Sequence, residues 1–305
     1  MKKTITLILA LLCTAGLMTG CAQKSEEDQI MDKILEATTW ENMIETYGSA
    51  LVSYDLPDNI SFHIYMDSET FLETNNEHEY AFLLSPEESC NMGLYDDGTP
   101  YFDRFVNVFD ENMSAVMRSE PLLTALTEVE VIVSMTEENG ILSFETKWGT
   151  NDISAEELAS YGLDMADGDY YVCKYKADAE TCRLMESYEY ILHADGTETY
   201  LGTVTFQVGV ERPTDFINEL AAKGDEIDAL PDEQTRVVYL VLDPGTENER
   251  IVSQKVVSGD LVLLPYDMRG YEVYMDPEGK QRKADVPDED VPDVPSSTYY
   301  LVKSE

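Results

Sequence analysis

The residue best placed for covalent chemistry in this chain is Cys21. It directly follows Gly20, and both come after an apolar run from Ile5 to Leu17 that starts behind Lys2 and Lys3. That run is too short to cross a bilayer as a helix of the mature protein, so it predicts an export signal. Export would bring the segment to the membrane, where a thiol beside a small residue is open to a lipid-transferring enzyme.

The sequence Leu17-Met18-Thr19-Gly20-Cys21 resembles the lipobox of bacterial lipoproteins, with Met18 in a position usually held by Leu. The resemblance implies that residues 1–20 are a signal peptide and that Cys21 carries a diacylglyceryl thioether at the mature N-terminus. That lipid would hold the protein at the outer, extracytoplasmic face of the cell membrane. Two alternatives stay open: an ordinary signal peptide cleaved near Ala22, and an apolar N-terminus that arose by chance.

The charge of the chain excludes one class of partner. It has 61 acidic and 20 basic residues, a formal net charge of −41. Nucleic acids and anionic lipid headgroups would repel such a protein, so no nucleic-acid partner is expected. The acidity does not identify a metal site either, because the segment 164–169 lacks the alternating spacing and closing Glu of an EF-hand loop. We therefore predict neither a metal nor a cofactor.

No pattern in the sequence predicts catalysis. The three histidines, His63, His78 and His193, are far apart and form no metal-binding or Cys/His motif. There is no nucleophile elbow, no phosphate-binding glycine loop and no SxxK motif. Because acidic residues are so abundant, the closeness of two of them says nothing about acid–base chemistry. We predict a protein that is not an enzyme and has no catalytic residues.

Cys90, Cys173 and Cys182 are the other cysteines of the mature chain, and they contain no CxxC pair. Cys173 and Cys182 flank a turn centred on Ala177-Asp178, and a two-residue hairpin there would place them opposite each other. A disulfide between them is one interpretation. Free thiols in a half-buried hairpin are the interpretation we favour.

The spacing of apolar residues predicts an α+β fold. Apolar residues recur at helical spacing from Ile30, and Thr39 is a suitable N-cap for a helix Trp40–Tyr47 that ends at Gly48. Alternating residues then predict strands, with hairpin turns at Asn139-Gly140 and Asp195-Gly196. Further helices are predicted over 154–161 and 214–222. A curved antiparallel sheet wrapped on helices is the simplest arrangement of these elements.

Residues 28–222 resemble the lipoprotein-carrier fold of LolA, LolB, RseB and the LppX/LprG lipoproteins. The resemblance is carried by the segments 34–42, 45–49, 178–181, 195–197 and 204–206. It implies a half-open β-barrel with an apolar cavity under a helical lid, able to hold acyl chains, and it transfers no catalytic residue. The residues expected to line that cavity are Phe62, Ile64, Met66, Phe82 and Leu84. The alternative is that these side chains simply cover the faces of a sheet.

The predicted organisation is a tether at 21–28, an α+β domain at 29–223, a linker at 224–235 and a small all-β module at 236–305. The module faintly resembles the β-grasp-like repeats of bacterial surface proteins. Together these features predict a membrane-tethered, non-enzymatic protein that binds a lipid-like or other apolar ligand. The alternatives are a structural or adhesive surface lipoprotein, and an RseB-like sensor that signals to a protein partner of unknown identity.

Overall fold

The computed structural model describes residues 26–94, 98, 100–106, 131–152, 163–231, 234–256, 271–280 and 296–303. These residues form three α-helices and fifteen strands, which confirms the α+β class. The helices are α1 (Glu26–Ala37), α2 (Trp40–Tyr47) and α3 (Thr214–Asp228), with a short 3-10 turn at Pro57–Asn59. Within the described ranges, no helix combines the length and the apolar character that crossing a membrane requires.

The strands lie in the following ranges, given in chain order: β1 (Ser49–Asp55), β2 (Ser61–Asp67), β3 (Phe71–Asn75), β4 (Ala81–Leu84), β5 (Ser89–Leu94), β6 (Pro100–Val106), β7 (Val131–Glu138), β8 (Ile141–Gly149), β9 (Tyr170–Asp178), β10 (Leu184–Leu192), β11 (Glu198–Val208), β12 (Arg236–Leu242), β13 (Arg250–Val256), β14 (Tyr271–Tyr274) and β15 (Ser296–Lys303). The predicted helix 154–161 and the predicted strand 261–264 lie outside the described residues.

Helix α2 begins and ends as the sequence predicts. The Thr39 side chain accepts a hydrogen bond from the backbone N–H of Asn42 at 3.2 Å and so caps the first turn. Gly48 adopts a left-handed conformation, φ 84°, and its N–H bonds to the carbonyl of Ile44 at 2.8 Å. These two caps place the buried face of the helix, which is centred on Met43, towards the sheet.

The chain divides into two compact units. Among the described residues, unit 1 lies within Met1–Ser68 and Val116–Glu211, and unit 2 within Glu69–Ala115 and Arg212–Glu305. This division differs from the predicted domains at 29–223 and 236–305. Strand β6 pairs with β13, so that Val106 lies opposite Ser253, and this long-range pairing leaves no local signal in the sequence. The predicted linker 224–235 is helical at its start, because α3 continues to Asp228.

Unit 1 holds an antiparallel sheet in the order β2-β1-β11-β10-β9-β8-β7. The hairpin between β7 and β8 turns at Asn139 (φ 55°) and Gly140 (φ 78°), which confirms the predicted turn. The predicted hairpin at Asp195-Gly196 joins β10 to β11. Helix α2 packs on β1, β2 and β11, where Val52 and Phe206 are paired and buried.

Aromatic pairs stabilise the other half of the unit 1 sheet. Phe144 stacks on Tyr175 with ring centroids 4.7 Å apart, and Trp148 stacks on Tyr171 at 4.9 Å. Each pair joins directly opposed positions of β8 and β9, and all four side chains are buried. Stacked cross-strand pairs of this kind add about 0.5–1.5 kcal/mol each beyond the burial of their area.

Unit 2 holds a mixed sheet in the order β14-β15-β12-β13-β6-β5-β4-β3, in which β12 and β15 are parallel and the other pairs antiparallel. Its buried core draws side chains from both ends of the sequence. The core residues are Phe82, Leu84, Phe105, Val238, Leu240, Leu242, Val252, Tyr299 and Leu301.

Candidate functional site

The five residues expected to line an apolar cavity belong to two different units. Phe62, Ile64 and Met66 are on β2 in unit 1, whereas Phe82 and Leu84 are on β4 in unit 2. Met66 is 2% exposed, while Phe62 and Ile64 are half-buried. The three β2 side chains lie opposite β1 residues on the sheet that α2 packs against.

Phe82 and Leu84 are part of the unit 2 core. Phe82 makes edge-to-face contacts with Phe71 at 5.9 Å and with Phe105 at 6.5 Å between ring centroids. Leu84 is only 1% exposed. Because these two side chains pack against other core residues, they fill the space that an acyl chain would need.

Cys173 and Cys182 are thiols in this structure. The turn between β9 and β10 is longer than the two residues considered, and Ala177 lies opposite Leu184. Cys173 therefore pairs with Glu189 on β10, while Cys182 lies in the turn itself.

Each histidine has a local structural partner. The His63 ring lies 2.9 Å from Ser53 Oγ, and His78 stacks on Phe216 with ring centroids 4.1 Å apart. His193 Nδ1 lies 2.9 Å from a carboxylate oxygen of Asp169. Hydrogen bonds from the Ala166 backbone and from His193 lower the pKa of Asp169. Within the described ranges, no group of three or more His, Cys, Asp or Glu side chains is placed to hold a metal ion.

Unit 1 contains a cavity of about 550 Å³ between α1, α2 and the turn that joins β9 to β10. We call it the helix–hairpin pocket. Its lining residues are Lys33, Glu36 and Ala37 of α1, Asn42, Thr46 and Tyr47 of α2, and Ala179, Glu180, Thr181, Cys182 and Arg183 of the turn. The volume falls within the roughly 300–1,000 Å³ typical of ligand sites. Most lining residues are polar in type, while polar and apolar atoms contribute about equally to the lining surface.

Asp178 builds the turn that forms one wall of this pocket. Its Oδ1 accepts hydrogen bonds from the backbone N–H of Glu180 at 3.1 Å and of Thr181 at 2.8 Å, and from the Thr181 hydroxyl at 2.9 Å. The Cys182 N–H bonds to the Asp178 carbonyl at 2.8 Å, which holds Cys182 at φ 59°. The hydrogen bonds to the Asp178 side chain favour its ionised carboxylate, and those from Thr181 have the largest effect. They therefore lower the pKa of Asp178.

Two further residues, Thr38 and Arg183, tie the turn to the helices and the sheet. The hydroxyl of Thr38, which is 1% exposed, accepts the backbone N–H of Leu184 at 3.0 Å. Arg183 Nη1 donates to the carbonyls of Leu184 at 2.9 Å and Phe206 at 3.2 Å, and the guanidinium lies 5.7 Å from the centre of the Tyr47 ring. The pocket therefore has fixed walls on its turn side.

The charged groups of the pocket make no ion pairs. In the part of the chain that the structure describes, neither Lys33 nor Arg183 forms a salt bridge, and Glu36 and Glu180 form none either. Asn42 and Thr46 bond to each other at 3.1 Å on the α2 side. The lining thus offers two cations, two carboxylates and several hydrogen-bonding groups to a bound molecule.

A second cluster of charged residues lies in unit 2. The buried carboxylate of Glu88 forms an ion pair with Arg104 at 2.9 Å. Arg104 also contacts Asp225 at 3.6 Å and makes a hydrogen-bonded ion pair with Asp228 on the last turn of α3. A cation beside the last turn of a helix interacts favourably with the negative end of the helix dipole. This cluster fastens α3 to the sheet of unit 2.

No protein-family model matches the chain, and no curated protein matches it. The function must therefore be argued from the geometry of the chain itself. Sequence reasoning did not find the helix–hairpin pocket, because its walls come from three separate segments. The nearest signal was Asp178-Ala179-Glu180-Thr181, whose Asp and Thr three positions apart are typical of a side-chain-capped turn.

Proposed function

We propose that the protein is a lipid-anchored, extracytoplasmic binding protein without catalytic activity, and that the helix–hairpin pocket holds its ligand. The observation that carries this proposal is a cavity of about 550 Å³ whose turn wall is held by hydrogen bonds to Asp178. Preformed walls reduce the entropy lost on binding and so favour recognition.

The lining of the pocket favours a polar ligand over an acyl chain. Ala37 and Ala179 are the small apolar members, and most other lining residues are charged or carry hydroxyl or amide groups. Burying these groups against a hydrocarbon chain would leave them without hydrogen bonds, at a cost of about 1–3 kcal/mol for each. Phe82 and Leu84, which an acyl site would need, contribute to the core of unit 2.

The lipid on Cys21 is the second part of the proposal, and it keeps the pocket near the membrane. Glu26, the first residue of α1, lies five residues after Cys21, a span of at most about 18 Å. Lys33 lies seven residues further along α1, about 10 Å at the rise of a helix. A pocket within about 30 Å of the anchor supports the sensor-like form of this function, in which the ligand belongs to a membrane protein partner.

The finer features of the fold also belong to the proposal. The packing of α2 on β1, β2 and β11 supports the half-open barrel expected for unit 1. In the C-terminal segment, the strand order β13-β12-β15-β14 with parallel central strands supports a β-grasp-like module. A chain that carries such a module as well as a polar pocket suits a protein that contacts other proteins.

The anchor is tested by the mass of the N-terminal peptide and by the location of two variants. Cys21→Ala should release the protein into the medium, whereas the matched Cys13→Ala variant, changed within the signal, should stay with the membrane. Native mass spectrometry of the released Cys21→Ala chain then tests the ligand. A co-purified polar molecule or peptide supports the proposal, and a co-purified lipid or an unprocessed precursor in the cytosol contradicts it.

A further inference from the structure

Lys33 and Arg183 are the two cations that line the helix–hairpin pocket. Acidic residues outnumber basic ones by 61 to 20 in this chain. Arg104, Lys176 and Arg212 all form ion pairs. In the described ranges Lys33 and Arg183 form none, although both line one cavity. Because these two cations are not paired with carboxylates of the described residues, they can bind a carboxylate of a ligand.

Arg183 is held in a fixed orientation for such a contact. Its Nη1 is committed to the carbonyls of Leu184 and Phe206, and its Nε is buried. Within the described residues its Nη2 makes no hydrogen bond and is not among the buried unsatisfied atoms, so it is the donor left for a ligand. An arginine that is already immobilised loses little entropy on binding, and its Nη2 can donate a charge-assisted hydrogen bond to a carboxylate or a phosphate.

We propose that the helix–hairpin pocket recognises a carboxylate group of its polar ligand through Lys33 and Arg183. This inference rests on the proposed function, since it names the chemistry of the same site. Glu36 and Glu180 line the same cavity and would repel a group with two or more negative charges. The pocket should therefore prefer a singly charged carboxylate to a phosphate dianion.

Cys182 supplies a reporter inside the pocket. It is half-buried, whereas Cys90 and Cys173 have no exposed surface. In a mature chain carrying Cys21→Ser, Cys182 is then the thiol that a reagent in solution reaches while the protein is folded. Its rate of reaction measures both the local potential and the occupancy of the cavity.

The first experiment compares two disulfide reagents on that Cys21→Ser chain. A bis(nitrobenzoate) disulfide is anionic and a dipyridyl disulfide is neutral, and each transfers one arylthio group to the sulfur of Cys182 and releases the other as a thiolate. Lys33→Gln should lower the ratio of the anionic to the neutral rate constant at least about twofold, the effect of one charge at a separation on the order of 8 Å even at the dielectric constant of water. Lys280→Gln, an exposed lysine on the turn after β14, should leave the ratio unchanged. An unchanged ratio in Lys33→Gln would overturn the proposal, and the neutral reagent reveals any loss of folding.

The second experiment asks whether carboxylates protect Cys182 from the neutral reagent. Sodium acetate should slow the reaction, and it should do so less in Lys33→Gln. Inorganic phosphate should protect less than acetate, and tetramethylammonium chloride at the same ionic strength should not protect. Stronger protection by phosphate, or no protection by acetate, would overturn the proposed specificity.

The two proposals can fail separately. If native mass spectrometry finds a cationic or neutral ligand and acetate does not protect Cys182, the binding function stands and the proposed recognition of a carboxylate is wrong. Protection by acetate in a protein that stays unprocessed in the cytosol would remove the anchored function and keep the site.

Discussion

At the scale of single residues, one carboxylate shapes the pocket wall. Oδ1 of Asp178 accepts three hydrogen bonds from Glu180 and Thr181. We expect Asp178→Ala to lower the free energy of unfolding by about 1 kcal/mol, since the turn is exposed and water replaces part of the loss. Urea unfolding measures this change, and Asp167→Ala, an exposed position on another turn, should have almost no effect.

The same residue should make stability depend on pH in one direction. The pKa of Asp178 is lowered in the folded protein, so its contribution is present above the ordinary pKa of an Asp and is lost as the pH falls through the lower, folded value. Asp178→Asn should therefore differ most from the wild type near neutral pH and least in acid. A difference that grows on acidification would contradict this prediction.

Thr38 gives a second test at this scale, because it holds the helix junction to the hairpin. Its buried hydroxyl accepts the backbone N–H of Leu184 at 3.0 Å. Thr38→Val keeps the shape but leaves that N–H unsatisfied, which should cost about 1–3 kcal/mol of stability. Thr38→Ser keeps the acceptor and should retain most of the stability in the same urea titration. Equal losses in the two variants would show that packing, and not the hydrogen bond, is what matters.

At the scale of elements, α3 is docked through a buried carboxylate. A Cβ placed on Gly224 of α3 would lie 2.9 Å from Glu88 Oε2, so a larger residue at this position would have to displace the Glu88 carboxylate. Burial raises the pKa of Glu88 to about 7, although Arg104 opposes the shift. Asp225 of α3 adds to the rise by repulsion.

The raised pKa of Glu88 predicts the opposite pH dependence from that of Asp178. The pKa of Glu88 is near 4.5 in the unfolded chain and higher in the folded protein. The contribution of Glu88 to the free energy of unfolding is therefore largest below pH 4.5 and is lost as the pH rises to about 7. The free energy of unfolding of the wild type minus that of Glu88→Gln should therefore fall from pH 4.5 to about 7 and then level off. Glu87→Gln, a more exposed acid paired with Arg212, is the control, because its pKa is lowered. A difference for Glu88→Gln that rises over this interval would contradict the prediction.

At the scale of the whole molecule, residues 236–305 complete a core begun much earlier in the chain. Phe82, Leu84 and Phe105 pack with Val238 and Leu301 in unit 2. A chain that ends at residue 235 should therefore expose this apolar surface and aggregate or unfold at low urea. Size-exclusion chromatography and urea unfolding of the shortened chain test this. A soluble fragment with the stability of the full protein would instead support the domain boundaries predicted from sequence.

Features that depend on residues close together in the sequence could be predicted, whereas features that depend on distant segments could not. The caps of α2 at Thr39 and Gly48 and the turn at Asn139-Gly140 depend on neighbouring residues, so the sequence predicts them. The pairing of β6 with β13 and the parallel contact of β12 with β15 depend on distant segments, so alternation alone could not assign those strands to a unit. For the same reason Phe82 and Leu84 were expected to line a cavity, whereas they contribute to a core.

The closure of unit 1 has a consequence for the order of folding. Ser49, at the start of β1, donates its hydroxyl hydrogen bond to the carbonyl of Val210, 161 residues later in the chain. Strand β1 therefore cannot pair with β11 until nearly all of the intervening polypeptide has emerged from the ribosome. Closing so large a loop is slow, since its entropy is lost before the contacts repay it. Until then the apolar face of α2, with Trp40 and Met43, lacks the part of its sheet that β11 supplies, which makes the nascent chain a substrate for chaperones that bind exposed apolar surface.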